Sequence, residues 1–175
     1  MKFISLFVLL ATGLIGTAAA QNLTASEKSF VEKAAKGNLA EVELGKLAQQ
    51  KSSDSKVKDF GQQMITDHSK ANDQLKTIAD SAGVKWPDQL TGESKTLYDR
   101  LEKLSGNQFD QLYIRSMVED HKKDVQEYKT ASKQVKDPQL KTYVDQTLPI
   151  IEQHLTHAES VSKTAISSIA PAKSS

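Results

Sequence analysis

Val84-Lys85-Trp86-Pro87-Asp88-Gln89-Leu90-Thr91-Gly92 interrupts an otherwise helical pattern, and the stretch from Val84 to Gly106 decides how the helices connect. Trp86-Pro87 cannot lie inside a helix, because proline lacks the amide N–H and biases its predecessor away from helical geometry. Thr91-Gly92 is a second break, and Ser94 to Leu104 can form a short helix. The segment is long enough to run back along a helical bundle.

Two long amphipathic helices precede it. Thr24-Ala25-Ser26-Glu27 is a capping box that starts the first. Phe30, Ala34, Gly37, Glu41, Leu44 and Ala48 then recur at spacings of three and four, which is one helix face. Ser52-Ser53-Asp54 breaks the pattern, and Asp54 can cap the second helix. That helix carries Val57, Gly61, Met64, His68, Ala71, Leu75 and Ala79, and Gly83 suits a left-handed C-cap.

Two more follow. Asn107 opens a third long helix with Phe109, Tyr113, Ile114, Met117, Val118, His121, Val125 and Tyr128 on its apolar side. Asp137-Pro138 supplies an N-cap and a proline at the first helical position of the fourth. Its stripe is Leu140, Val144, Thr147, Ile151, His154, Ala158 and Val161, and Pro149 within it is expected to kink the helix. Short link, long crossover, short link is the connectivity of an all-α, ferritin-like four-helix bundle. An up-down-up-down bundle with a decorated loop is the competing arrangement. Met64-Ile65-Thr66-Asp67-His68-Ser69-Lys70 echoes Met117-Val118-Glu119-Asp120-His121-Lys122-Lys123, a pattern suggestive of duplication.

Composition agrees with a helical domain. Of 175 residues 38% are hydrophobic and 26% charged, enough to bury a core. Lys2, the apolar run Phe3 to Ile15 and Ala18-Ala19-Ala20 read as a secretory leader over residues 1–20. An uncleaved anchor is the alternative, although the apolar run is shorter than a membrane span. The bundle then covers 21–165, and 166–175 forms a flexible tail. The expected location is the periplasm, with outer-membrane association a further option and no transmembrane span in the mature chain. Loss of the leader removes Lys2 and with it the formal charge of +1. A neutral domain without a basic, aromatic-rich patch gives no reason to bind nucleic acid.

There is no cysteine, so disulfides, thiolate zinc sites and cysteine nucleophiles are excluded. Chemistry falls to His, carboxylates and Met. His68, His121 and His154 lie on the stripes of the second, third and fourth helices, and Glu41 lies on that of the first. A carboxylate rarely enters a core unpaired, since its desolvation costs several kcal/mol. At about 1.5 Å rise per residue, Glu41 and His68 differ in level by roughly 7 Å, and His121 and His154 by roughly 4 Å. One layer of Glu41, His68, His121 and His154 is therefore expected, suited to Zn, Cu, Fe or Ni. Asp67, Asp120 and Glu152 could orient imidazoles from neighbouring helices. Met64 and Met117, one turn before a His, would favour copper. Glu43 is placed on a wet face and His157 at the surface. The same residues could equally form a metal-free polar network that fixes register, with the methionines as core filling. No phosphate loop or nucleophile elbow occurs.

Ala40-Glu41-Val42-Glu43-Leu44-Gly45-Lys46-Leu47-Ala48, Val57-Lys58-Asp59-Phe60 and Met64 to His68 resemble a bacterial ferritin-like family. So do Leu104 to Asp110, Asp120-His121 and Thr147-Leu148-Pro149 through His154. That family is one of unknown function whose members are labelled exported or outer-membrane proteins. The resemblance spans roughly Thr24 to Ser162 and implies the ferritin-like fold, but no activity. Di-iron ferritins use Glu-x-x-His on two helices, and no Glu-x-x-His occurs in this chain. A copper-associated exported ferritin-like group is similar only at Met64/His68 and Met117/His121. The functional expectation is an exported, non-catalytic bundle that binds a transition metal (Cu, Zn or Fe). The alternative is a metal-free structural or stress-related protein of the cell envelope.

Overall fold

The computed structural model describes residues 22–167. The leader at 1–20 and most of the tail lie outside them. The described chain is all-α: α1 (Ala25–Lys51), α2 (Ser55–Ala82), α3 (Gly92–Glu102), α4 (Gly106–Gln134) and α5 (Pro138–Ser167), without a strand among the described residues. The four long patterns of the sequence are α1, α2, α4 and α5, and the short helix is α3.

Local chemistry sets the boundaries. The Thr24 hydroxyl accepts from the Glu27 amide, and the Glu27 carboxylate accepts from the Thr24 amide at 2.8 Å. Asp54 accepts from the Lys56 amide at 2.7 Å and starts α2. Gly83, at φ 66°, ends α2 in the left-handed conformation that costs glycine little. Asp137 accepts from the amides of Gln139 and Leu140 and starts α5 at Pro138. α4 begins one residue earlier than expected, at Gly106. α5 continues through the exposed Pro149 and stays helical to Ser167.

The link of residues 52–54 turns α2 back along α1. Their faces meet at backbone contact: a Cβ on Gly45 would lie 2.6 Å from the Gly61 carbonyl oxygen, and one on Gly61 2.8 Å from the Ala48 Cβ. α5 lies along α2 through Asp67–His154 and Gln63–His157, and along α4 through Ser132–Asp145 and Lys129–Glu152. In each of these pairings one number rises as the other falls, so neighbours are antiparallel and α2 and α4 point the same way. Residues 83–105 join them. Val84 and Trp86 pack on the apolar cluster at the C-terminal end of α2, and Leu97, Tyr98 and Leu104 on the cluster at its N-terminal end.

Those two clusters are separate. One contains Val31, Ala35, Leu75, Ile78, Tyr128 and Val144, and the other Leu44, Leu47, Phe60, Met64, Phe109, Tyr113 and Met117. On every long helix a polar residue fills the gap: Asn38 and Glu41 on α1, His68 on α2, His121 on α4 and His154 on α5. α1 buries a wider face than the sequence stripe predicts, because it meets α2, α3 and α4. Val31, Ala35 and Asn38 are buried, whereas Gly37 is exposed.

Glu27 fastens one end. One carboxylate oxygen accepts from the amides of Lys136 and Asp137, at 2.8 and 3.0 Å, and the other from Thr24. Burial alone would raise its pKa, but these donors outweigh it and bring it down to about 2.

Packing and charge make three substitutions informative. Gly61→Ala forces a methyl against the Ala48 Cβ at 2.8 Å and the Gly45 carbonyl oxygen at 3.1 Å, and should destabilise by about 1–3 kcal/mol. Gly37→Ala, with open space around its Cβ, should stabilise by about 0.5–1 kcal/mol; urea unfolding checks both. Glu27→Ala should cost about 1.5–3 kcal/mol at pH 7 by loss of charge-assisted bonds. Because the folded pKa is depressed, that loss should shrink as pH falls from 4.5 towards about 2.

Candidate metal centre

His68, His121 and His154 meet where the two apolar clusters part. Their ring centroids are 6.0 Å (68–121), 5.3 Å (68–154) and 5.5 Å (121–154) apart. One ring nitrogen from each lies within 4.8 Å of the other two. His121 and His154 are 0% exposed and His68 is 4%.

Each imidazole is held through one nitrogen by an acceptor. His68 Nδ1 donates to Asn38 Oδ1 at 2.9 Å, His121 Nδ1 to the Met117 carbonyl at 2.9 Å, and His154 Nε2 to Asp67 Oδ2 at 2.8 Å. Since carbonyl and carboxylate oxygens only accept, each proton sits on the anchored nitrogen. The opposite nitrogens, His68 Nε2, His121 Nε2 and His154 Nδ1, are buried without a protein partner. Asn38 is fixed in turn, its Nδ2 donating to Tyr143 Oη at 3.1 Å, and the Tyr143 and Tyr128 hydroxyls are 3.1 Å apart.

Electrostatics keep the rings neutral. Burial lowers the pKa of His68 well below its usual value, reinforced by His121 and His154. His121 falls to about 4, chiefly by burial and then by His154. For His154 burial also dominates, opposed by the Asp67 hydrogen bond and charge. Three neutral imidazoles with fixed tautomers each keep one buried lone pair without a protein partner, and neutral imidazole is the form in which histidine ligates a metal.

The other sequence candidates are dispersed around this group. Glu41 is buried but is not a member of the compact group; its Oε2 has no protein partner. Asp120 is half-buried and pairs with Lys123 at 3.5 Å, and Glu152 pairs with Lys129 at 2.8 Å. Met64 and Met117 are fully buried in the adjacent apolar cluster. Glu43 pairs with the exposed Lys46. His157 is half-buried, its Nδ1 2.8 Å from Gln63 Oε1 and its ring edge-on to Phe60.

Sequence reasoning missed Asn38. It lies seven residues before Gly45, and His68 lies seven after Gly61, so the glycine contact brings the two level. Glu41, four before Gly45, is level with Ile65 instead. The small residues at 45 and 61 were the available signal.

Nitrogen-15 NMR should show His121 neutral at pH 6 with its proton on Nδ1, becoming charged only near pH 4. Charging near pH 6.5 would mean that the ring is not enclosed as described.

A family model described as a domain of unknown function (DUF4142) matches residues 13–161. No curated protein and no solved structure matches the chain. The matched span takes in α1 to α4 and α5 as far as Val161, including all three histidines, and on that match the chain belongs to the DUF4142 family.

Proposed function

We propose that the protein binds one transition metal ion (Cu, Zn or Fe) through His68, His121 and His154, as a carrier or reservoir without turnover. The observation that carries this reading is the meeting of three buried imidazoles, each with one nitrogen that lacks a protein partner. Leaving one such group unsatisfied costs about 1–3 kcal/mol, so three form an expensive arrangement unless something fills it. Tetrahedral ligation at about 2.0–2.1 Å places nitrogens about 3.4 Å apart. Closing the longest observed separation requires at most about 1.4 Å of movement, within reach of side-chain adjustment.

Asn38, the Met117 carbonyl and Asp67 would hold the ligands in their metal-binding tautomers, and Asp67 would offset part of the cation's charge. The helix directions support a ferritin-like four-helix bundle of α1, α2, α4 and α5, with residues 83–105 and α3 as the crossover. We further propose that residues 1–20 export the chain to the periplasm, with attachment to the outer membrane as the alternative location. No helix of the described residues is long and apolar enough to cross a membrane. A second reading, a metal-free envelope protein whose polar layer fixes register, draws on the Tyr128–Tyr143–Asn38–His68 chain of contacts.

One test separates the two. Untagged protein isolated from its native compartment should carry stoichiometric metal, and apo protein should gain about 2.7 kcal/mol at a hundredfold excess over Kd, roughly 5–10 °C. His68→Ala with His121→Ala should abolish both. Sub-stoichiometric metal, with no thermal shift on adding Cu, Zn or Fe, would favour the metal-free reading.

A further inference from the structure

Glu41 lies outside the histidine group, and its surroundings form a site of different chemistry. A cavity of about 600 Å³, within the usual size of ligand pockets, opens between α1, residues 89–91, α3 and α4. Gly37, Ala40, Glu41 and Leu44 line it from α1, Leu97 from α3, and Ser116, Asp120 and Asp124 from α4.

Its charge balance is lopsided. Six carboxylates line it against four cations: Lys33 pairs with Glu127, Lys36 with Glu32 and Lys123 with Asp120, while Arg100 lines it from α3. Asp124 makes no ion pair among the described residues. Glu41 is 4% exposed, and its buried Oε2 has no protein partner. A buried carboxyl without a partner needs an explanation. The carboxylates also raise one another's pKa: Glu41 goes well above its usual value, by burial first and then through Asp124 and Asp120. Asp124 rises to about 7, by burial first and then through Glu127 and Asp120, opposed by the charges of Lys33 and Lys123.

We propose that this cavity binds a short aliphatic diamine, one ammonium group on Glu41 and the other on Asp124, with the methylenes against Leu44 and Leu97. A single metal ion fits poorly. Divalent hard cations need oxygens at about 2.0–2.6 Å, whereas Glu41, Asp120 and Asp124 are not among the described residues grouped closely enough to hold a metal. A two-ended cation spans the gap between α1 and α4, and the apolar walls match its stem. This site is independent of the histidine centre: it shares no residue with the three imidazoles.

Calorimetric titration of the full mature chain tests it, with 1,4-diaminobutane as probe, 1,4-butanediol as its uncharged counterpart, and Mg²⁺ alone as the metal probe. Saturable one-to-one binding of the diamine, at least tenfold weaker in Glu41→Gln, is expected, with Asp80→Asn, whose carboxylate pairs with Lys76 away from the cavity, unchanged and no binding of the diol. Asp124→Asn should also weaken binding, and it serves as the readout if Glu41→Gln does not fold. Equal affinity in the folded acid-to-amide variants, equal binding of the diol, or displacement of the diamine by stoichiometric Mg²⁺ would overturn the proposal.

Discussion

Everything that meets at the three histidines depends on how α1 lies against α2, and that is fixed by Gly45 and Gly61. Neither position has room for a Cβ, because the facing carbonyl or methyl already occupies it. Bare backbone on both sides lets the helices touch and makes their register discrete, since sliding by a turn would drive a side chain into main chain. Seven residues away on each helix this register delivers the Asn38 amide to His68 Nδ1. Asn38 then reaches Tyr143 on α5, and Asp67 on α2 reaches His154.

The consequence is a core with a polar seam. Above and below it the apolar clusters supply the main driving force for folding. Within it, each imidazole has one nitrogen satisfied and one left over. Neutral rings are cheaper to bury than charged ones, which is why burial depresses all three pKa values. The same depression removes protons as competitors for the lone pairs near neutral pH. Three buried nitrogens without a protein partner cost stability, as buried polar groups do when unsatisfied.

Helix limits were legible in the sequence because they rest on local chemistry: Thr24 with Glu27, Asp54, Gly83 and Asp137 all act within a few residues of themselves. The three histidines were legible as stripe positions, since helical periodicity decides which side chains face inward. Levels across helices were harder. Counting rise from the link at Ser52 placed Glu41 roughly 7 Å from His68, an offset that side chains and helix stagger were expected to close largely. The glycine contact favours Asn38 instead, and an uncharged amide gave no warning from composition. Asp110, buried and bound to Ser53 across 57 residues, was invisible for the same reason. Its partner is set by tertiary packing alone.

X-ray absorption spectroscopy on metal-loaded, untagged protein tests the central claim most directly. The account predicts three imidazole ligands at about 2.0–2.1 Å, reduced to two when His154 is replaced by Gln. A coordination shell without imidazole scattering, or one unchanged by that substitution, would contradict it.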